Sequence, residues 1–299
     1  MNAVIREHVI PTPGAKPYIV AYGPDNNIWF CASGTAKIGR LSLQTERIDE
    51  FSLARADAEP IGIAAGSDGN LWFTDYGGHK VGRITPNGTI TEFALPTAGA
   101  GPNGITLGPD GNIWFAEANV DQFGCITPQG VVREFRDGIT PGSRPLAPTA
   151  DAGAVWYSAV DGNVIGRITP DGHVREFPIP TPGSGPRAIV PGPNETCWFV
   201  QSATDSIGRI SQDGSIVSFP LPRPGCSPRG ITRMSDDHFL ITENRTDMIT
   251  RMSQDGTVVD SFPLRTAGGG PRAIVSIPDG RAFFSLHDTG VIGEIRLTS

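Results

Sequence analysis

The fold of this 299-residue chain is decided by residues 60–101, PIGIAAGSDGNLWFTDYGGHKVGRITPNGTITEFALPTAGAG. The stretch contains four short runs of strand-forming residues, at 61–65, 71–75, 81–85 and 89–93. A turn signal follows each run: SDG, a glycine-rich loop, PNG, and a loop of proline and glycine. Such turns connect neighbouring antiparallel strands. The stretch therefore predicts a unit of four short antiparallel strands.

The same unit recurs along the chain. Its first marker is a tryptophan followed by another aromatic residue, and it returns every 42 or 43 residues, at Trp29, Trp72, Trp114, Trp156 and Trp198. The register continues to Leu240 and Phe283, where the aromatic signal fades. The second marker is a proline that opens each copy, at Pro17, Pro60, Pro102, Pro145, Pro186, Pro228 and Pro271. Seven four-stranded copies with no helical period predict an all-β, seven-bladed β-propeller.

The two ends of the chain are predicted to share the last blade. The seventh copy supplies only three strands, RAIVS, AFFSLH and VIGEIRL, whereas VIREHVIPTPG at residues 4–14 copies HVREFPIPTPG at residues 173–183. We expect residues 4–10 to pair beside residues 291–297 and complete this blade, which removes an open sheet edge. We also expect one domain, residues 1–299, with blades that start near residues 17, 60, 102, 145, 186, 228 and 271.

The composition excludes several classes of partner. The formal net charge is -7 and no basic run stands out, which argues against nucleic acid and anionic membranes. No segment has the length and apolarity of a signal peptide or a transmembrane helix. The four cysteines lack the spacing of a metal site or a disulfide framework, and we expect buried free thiols at Cys31, Cys125, Cys197 and Cys226. We expect a cytoplasmic monomer.

One face of the predicted disk is the candidate for a binding surface. The innermost strand of each blade lines the channel, and its entry lies at the same end as the exit of the antiparallel second strand. Residues after the marker prolines form the first set: Tyr18, Ile61, Asn103, Leu146, Arg187, Arg229 and Arg272. Residues after the aromatic pairs form the second set: Ala32, Asp75, Glu117, Ala159, Gln201, Glu243 and Leu286, with His287 and Asp288 following.

These positions differ between blades, whereas the rest of the unit is uniform. A scaffold residue repeats because every blade needs it, but a binding surface must break the symmetry. Blades five to seven place three arginines side by side, and Tyr18 of blade one lies beyond the last because the ring closes there. We expect the ligand over this sector. The alternative is that Arg229 forms an ion pair with Glu243 of its own blade.

The repeated motifs P-x-G-I-T, DG-x-(I/L)-WF-T-E, N-x-IGRIT-x-x-G and I-x-EF-x-(I/L)-P resemble those of the streptogramin B lyase (virginiamycin B lyase) family. The resemblance covers essentially the whole chain. It implies a lyase that opens cyclic depsipeptide antibiotics without water and so acts in antibiotic resistance. A base removes the proton α to the ester carbonyl, and the C–O bond breaks by elimination. The resemblance also implies a small-molecule or cyclic peptide ligand and a Mg²⁺ ion near the last blade.

Most positions that carry this chemistry in the family are substituted here. A family histidine after the marker proline of blade six corresponds to Arg229, and a Glu-Pro-His triplet of blade seven corresponds to GPR at residues 270–272. A family glutamate of blade seven falls near His287, and only Tyr18 matches. Arginine keeps its proton near neutral pH and is a poor general base. Without the two carboxylates, we predict no protein ligands for the metal.

Three functions stay open. The first is a lyase for a cyclic ester or related carbonyl compound, with His287 as base and arginines in place of the metal. The second is a propeller without catalysis that binds an anionic small molecule or acidic peptide through the arginines. The third is a lactonase-type metal hydrolase with carboxylate and amide ligands on blades two and three. The predicted catalytic residues are His287, Arg229, Arg272 and Tyr18, and the predicted substrate-binding residues are Arg187, Gln201, Glu243, Glu117, Asn103 and Asp75.

Overall fold

A computed structural model describes residues 2–298, so Met1 and Ser299 lie outside the described residues. The strands are, in chain order, β1 (Asn2–Val9), β2 (Pro17–Tyr22), β3 (Ile28–Ala32), β4 (Lys37–Leu41), β5 (Ile48–Ser52), β6 (Pro60–Ala65), β7 (Leu71–Asp75), β8 (Lys80–Ile84), β9 (Ile90–Ala94), β10 (Pro102–Leu107), β11 (Ile113–Glu117), β12 (Gln122–Ile126), β13 (Val132–Phe135), β14 (Pro145–Ala150), β15 (Val155–Ala159), β16 (Val164–Ile168), β17 (Val174–Pro178), β18 (Pro186–Pro191), β19 (Cys197–Gln201), β20 (Ser206–Ile210), β21 (Ile216–Pro220), β22 (Pro228–Arg233), β23 (Phe239–Glu243), β24 (Met248–Met252), β25 (Val258–Pro263), β26 (Pro271–Ser276), β27 (Arg281–Leu286) and β28 (Val291–Thr298).

These strands form seven antiparallel sheets of four strands each. The first strand of every blade begins at a marker proline, and it contacts the first strands of the two neighbouring blades. The contacts run from β2 to β6 and onward to β26, which contacts β2 again, so the blades close into a ring. The predicted seven-bladed β-propeller is therefore confirmed. Residues 2–298 contain no helix that is long and apolar enough to cross a membrane.

The predicted closure of the last blade is also confirmed. Strand β1 pairs with β28, and the sheet order is β1-β28-β27-β26. Val4 lies opposite Arg296 and Val9 opposite Val291. The strand ends at Val9, one residue earlier than expected, and the Ile10 amide donates to the Gly290 carbonyl at 3.0 Å.

The repeated motifs are structural connections within and between blades. Trp72 is fully buried, and its indole N–H donates to Asp68 of the preceding DG turn at 3.2 Å. The Arg83 guanidinium lies 5.5 Å from the centroid of the Trp72 ring and donates to the Pro128 carbonyl of blade three at 2.9 Å. The cation–π contact thus lies within blade two, and the hydrogen bond from Arg83 joins this blade to blade three.

The glycine of the repeated IGRI motif makes room for the second aromatic residue. A Cβ atom at Gly82 would lie 2.1 Å from Phe73 Cζ, so a larger residue cannot pair opposite this ring. Blade six departs from the pattern, because Ile241 replaces the aromatic residue and Thr250 replaces the glycine. The smaller ring-free side chain gives space for a threonine, which becomes a hydrogen-bonding group in the blade interior.

All four cysteines are buried and free among the described residues, as the spacing predicts. Burial raises the pKa of the Cys125 thiol to about 11 and that of Cys197 to about 12. These thiols therefore stay protonated near neutral pH, which makes them poor nucleophiles.

Candidate functional site

The residue after each marker proline lies at an irregularity of the sheet. In blade six, Pro228 pairs with Glu243 and Ile231 pairs with Ile241, so the register shifts between these two pairs. The other six blades shift at the equivalent place. Such a bulge bends a strand and changes the direction of its side chains. Next to this bulge, nearly every blade places the side chain that follows its marker proline at the channel mouth.

Six members of the first set meet around one cavity of about 90 Å³ at this mouth of the channel. They are Tyr18, Asn103, Leu146, Arg187, Arg229 and Arg272, and alanines of the inner strands complete the wall. Ile61 is the member of the set that does not line it. A second cavity of about 310 Å³ follows along the channel and has a mostly apolar wall that includes Val20, Ile105 and Ile231.

The three arginines, here called the arginine arc (Arg187, Arg229 and Arg272), have no carboxylate partner among residues 2–298. Each side chain is half-buried, and each Nε atom is buried without a hydrogen-bond partner in the described part of the chain. The Arg272 guanidinium lies 4.8 Å from the centroid of the Tyr18 ring, which is a cation–π contact. The arc therefore presents cations without counter-charges to the cavity.

The alternative prediction, an ion pair between Arg229 and Glu243, is wrong. Glu243 accepts hydrogen bonds from Nε and Nη2 of Arg223, at 2.7 and 2.6 Å, and not from Arg229. Arg223 lies in the loop before blade six, twenty residues from Glu243. The carboxylate is therefore neutralised by a residue outside the first set, and the arginine arc keeps its full charge.

Burial and mutual repulsion act on the arc together. Burial, followed by the positive charges of Arg187 and Arg272, lowers the pKa of Arg229 to about 10. Burial likewise lowers the pKa of Arg187. The guanidinium groups are still protonated at neutral pH. Half-buried like charges raise the free energy of the empty site, and a bound anion would relieve this cost.

The main chain fixes the position of the arc. The Thr242 hydroxyl accepts from the Gly230 amide at 2.8 Å and donates to the Arg272 carbonyl at 2.6 Å, which joins blades six and seven. A Cβ atom at Gly230 would lie 2.2 Å from that carbonyl oxygen, so only glycine allows this approach. The Ser285 hydroxyl donates to the Tyr18 carbonyl at 2.7 Å and joins blade seven to blade one in the same way.

His287 lies beside the arc rather than on the wall of the cavity. Its Nδ1 atom is 2.8 Å from Asp288 Oδ1, and its ring makes an edge contact with Tyr18 at 5.8 Å between centroids. Burial lowers the pKa of His287, the Asp288 carboxylate raises it, and the Arg272 charge lowers it. The net effect is a decrease, so the imidazole is neutral at pH 7 and able to accept a proton.

The polar residues of the second set do not reach the cavity. Asp75, Glu117, Gln201 and Glu243 are fully buried, because the second strand is buried along its whole length in these blades. Asp75 accepts from the amides of Glu59 and Gly78. The Gln201 amide group donates to the Ser218 hydroxyl at 2.8 Å. The structure thus places the predicted substrate-binding residues Arg187 and Asn103 at the cavity and these four inside the blades.

Glu117 differs from Glu243 because it has no cation nearby. Its Oε2 atom accepts from Gln122 at 2.5 Å, and its other oxygen is buried without a partner in residues 2–298. Burial, helped by the charge of the neighbouring Glu134 and opposed by the hydrogen bond from Gln122, raises the pKa of Glu117 to about 8. The group is therefore a buried carboxylic acid near neutral pH.

The residues at the mouth do not fit a magnesium site. Mg²⁺ prefers oxygen ligands, but the polar wall consists of three guanidinium groups, one phenol and one amide. Residues 2–298 contain no group of three or more His, Cys, Asp or Glu side chains that could hold a metal ion. The residues predicted as metal ligands of a lactonase-type hydrolase do not come together either. Asp75 and Glu117 lie inside their blades, away from the cavity that Asn103 lines.

Comparison with known proteins gives the class. The model of the Virginiamycin B lyase family matches residues 3–215 and 139–299. A streptogramin B lyase structure has a TM-score of 0.93 and 32% identity over 99% of this chain and 98% of that chain. The chain therefore belongs to the virginiamycin B lyase family. Curated protein sequences give no match.

Two further structures come from Staphylococcus aureus. Selenomethionine-substituted virginiamycin B lyase has a TM-score of 0.93 and 32% identity over 99% of this chain and 100% of that chain. A catalytically inactive His-to-Ala variant of virginiamycin B lyase with quinupristin has a TM-score of 0.92, with the same identity and coverage. The fold of this family is thus kept over nearly the whole chain.

Proposed function

We propose that the arginine arc binds a small anionic group, a carboxylate or a phosphate, that enters the channel mouth. One observation carries the proposal: three half-buried arginines with unpartnered Nε atoms line one cavity, in a protein with a formal net charge of -7. Guanidinium groups bind carboxylate and phosphate oxygens through two parallel hydrogen bonds. An anion would supply the missing partners and offset the repulsion within the arc.

The size of the cavity limits what can enter. Sites for drug-sized ligands have volumes of roughly 300–1,000 Å³. The cavity at the mouth has about 90 Å³. A cavity needs roughly 10–15 Å³ to hold one water molecule, so this space holds a small group such as a carboxylate or a phosphate. The rest of a larger ligand would lie in the adjoining spaces, which are the second cavity along the channel and the surface outside the mouth.

The double variant Arg229→Gln/Arg272→Gln is expected to bind malonate or inorganic phosphate about 100-fold more weakly, since a hydrogen bond to a charged group contributes about 1.5–3 kcal/mol. Titration calorimetry at two salt concentrations measures the loss, and salt should weaken binding to the unmodified protein. Arg55→Gln is the matched control, because this exposed arginine forms its own pair with Asp57 at 2.8 Å. Equal affinity of both variants would refute the proposal.

A second candidate function is the carbon–oxygen lyase reaction of the family on an ester or related carbonyl compound. It is supported by His287, whose neutral imidazole is held by Asp288 beside Tyr18 and Arg272. His287 would take the proton α to the carbonyl, and the arginines would stabilise the enolate oxygen. The Cβ–O bond would then break as the double bond forms, and the Tyr18 hydroxyl would give its proton to the leaving oxygen.

Incubation with quinupristin tests this candidate. Ring opening without a change in mass indicates elimination, and a gain of one water indicates hydrolysis. His287→Ala is expected to lower the rate at least about 100-fold, the usual contribution of a positioned general base. His238→Ala is the control, since this residue lies in a turn beside Asp236. Unchanged quinupristin would remove this reaction for that compound and leave anion binding intact.

A further inference from the structure

A large groove opens onto the arginine arc from blades four to six. Its volume is about 680 Å³, and it is lined by Arg187 and Arg229, which also line the smaller cavity at the mouth. The two spaces therefore share a wall made of arginine side chains. We call this space the blade 4–6 groove; its other charged and hydroxyl-bearing lining residues are Arg144, Asp161, Ser202, Asp205, Ser227 and Arg245.

Three of the charged residues in the groove, Arg144, Asp161 and Asp205, already have partners. Arg144 Nε lies 2.9 Å from Asp161 Oδ2, so this pair is neutral. Asp205 accepts from the amides of Gly225 and Ser227, at 2.6 and 2.8 Å. Both Asp205 oxygens thus stabilise the loop before blade six, and the Arg245 charge also contributes, at longer range, to the lowered pKa of Asp205.

Arg245 is the cation without a close partner at the groove. Its side chain is exposed, and no carboxylate lies within ion-pair distance among the described residues. Its amide donates to the Cys226 carbonyl at 3.1 Å, which fixes the main chain. The positive charge of Arg245 contributes to the lowered pKa of Arg229, after burial and the other two arginines of the arc. Arg245 therefore belongs to the same positive field.

The walls between these cations are polar and open. They include the Ser202 and Ser227 side chains and the main chain at Gly183, Gly185 and Gly225. The cavity at the mouth holds only a small group, so a longer ligand extends beyond it. The second cavity along the channel has a mostly apolar wall, whereas the groove carries a further cation. A polar chain suits these walls better than an apolar one.

We propose that the natural ligand is an elongated dianion. One terminal carboxylate or phosphate binds in the arginine arc, and the polar chain follows the blade 4–6 groove to a second terminal anion that binds Arg245. This inference rests on the proposed function of the arc. It adds a second binding subsite and a ligand class, a linear molecule with an anionic group at each end.

Calorimetric titration with two matched series tests the inference. The first series is α,ω-dicarboxylates of increasing chain length, and the second is monocarboxylates of the same lengths. A dicarboxylate that spans the groove is expected to bind at least about 10-fold more tightly than its monocarboxylate partner. A parallel α,ω-bisphosphate series distinguishes terminal phosphate from carboxylate.

Arg245→Gln is expected to remove this advantage and to weaken monocarboxylate binding by no more than about 2-fold, because Arg245 acts on the arc only through its exposed charge. Arg144→Gln is the control, because Arg144 is already paired, and it should change neither series by more than about 2-fold. If mono- and dicarboxylates of every length bind equally, the second subsite is refuted while the arc keeps its function. If no anion binds to the folded protein, both proposals fail. Thermal melting of each variant shows that it is folded.

Discussion

Replacement of Arg223 by leucine is expected to lower the free energy of unfolding by about 3–5 kcal/mol at neutral pH. Glu243 is fully buried, and its two oxygens accept from Arg223 as well as from Thr246 at 2.7 Å and Thr250 at 2.5 Å. Leucine would leave a buried carboxylate without a counter-charge. Denaturation with urea at constant pH measures the change.

Two further variants serve as controls for the loss of stability expected in Arg223→Leu. Arg223→Leu/Glu243→Leu should recover most of the loss, because it removes both charges together. Arg6→Leu should cost less than about 1 kcal/mol, since the pair of Arg6 with Glu46 is exposed. A loss below about 1 kcal/mol for Arg223→Leu would show that the buried pair does not stabilise the blade.

The pH dependence of this pair has a definite sign. Burial raises the pKa of Glu243, but the hydrogen bonds from Arg223, Thr250 and Thr246 outweigh it and hold the value below the ordinary 4.5. A carboxyl group whose pKa is lowered in the folded protein stabilises the fold at pH values above its pKa in the unfolded chain. This contribution is lost as the pH falls through the folded-state pKa. In Arg223→Leu the carboxylate loses its cation, so the deficit should shrink at low pH, where protonation removes the buried charge.

In blade three, the buried carboxyl group of Glu117 is expected to change the free energy of unfolding with pH in the opposite direction to Glu243. Glu117→Gln should therefore stabilise the protein by on the order of 3 kcal/mol at pH 9. Burial raises the pKa of Glu117 from 4.5 to about 8, so the folded protein holds a proton that the unfolded chain releases above pH 4.5. Stability therefore falls as the pH rises from 4.5 through 8. A glutamine keeps the donor and acceptor of the protonated acid and has no charge to bury.

Denaturation midpoints at pH 5, 7 and 9 would reveal this difference. In Glu117→Gln, the denaturation midpoint should fall less between pH 5 and pH 9 than in the unmodified protein. Glu46→Gln should leave this fall unchanged, because Glu46 is exposed and paired with Arg6. Parallel curves for Glu117→Gln and the unmodified protein would mean that Glu117 is ionised in the fold.

The sequence predicts the propeller and its closure because a repeated residue has the same neighbours in most blades. Trp72 needs an aspartate in the preceding turn and an arginine above its ring, and the repeat supplies both. The first set was also predictable, since the residue after a marker proline follows from the position of the innermost strand. Alternation along a strand does not show how deep a side chain lies, and this is why Glu117 and Glu243 were expected at the surface.

Two departures from the repeat could have indicated the partner of Glu243. Arg223 occupies the loop position where Thr97 and Thr266 stand in other blades, and these threonines donate to glutamates of outer strands. In blade six the outer-strand position is Ser261, which accepts from Arg223 at 2.8 Å. In blade six, the loop threonine is thus replaced by Arg223 and the outer-strand glutamate by Ser261. The signal joins residues 38 apart, so it is visible only once the blade-to-blade contacts are known.

The shared sheet at the chain ends also affects how the protein is made. Asn2 and Ala3 pair with Thr298 and Leu297, so β1 cannot complete its sheet until β28 has been synthesised. The six other blades are each built from one continuous segment. The shared ladder places residues 2 and 298 side by side, and a circular permutant that joins them and opens between two other blades would keep every strand pair of the ring.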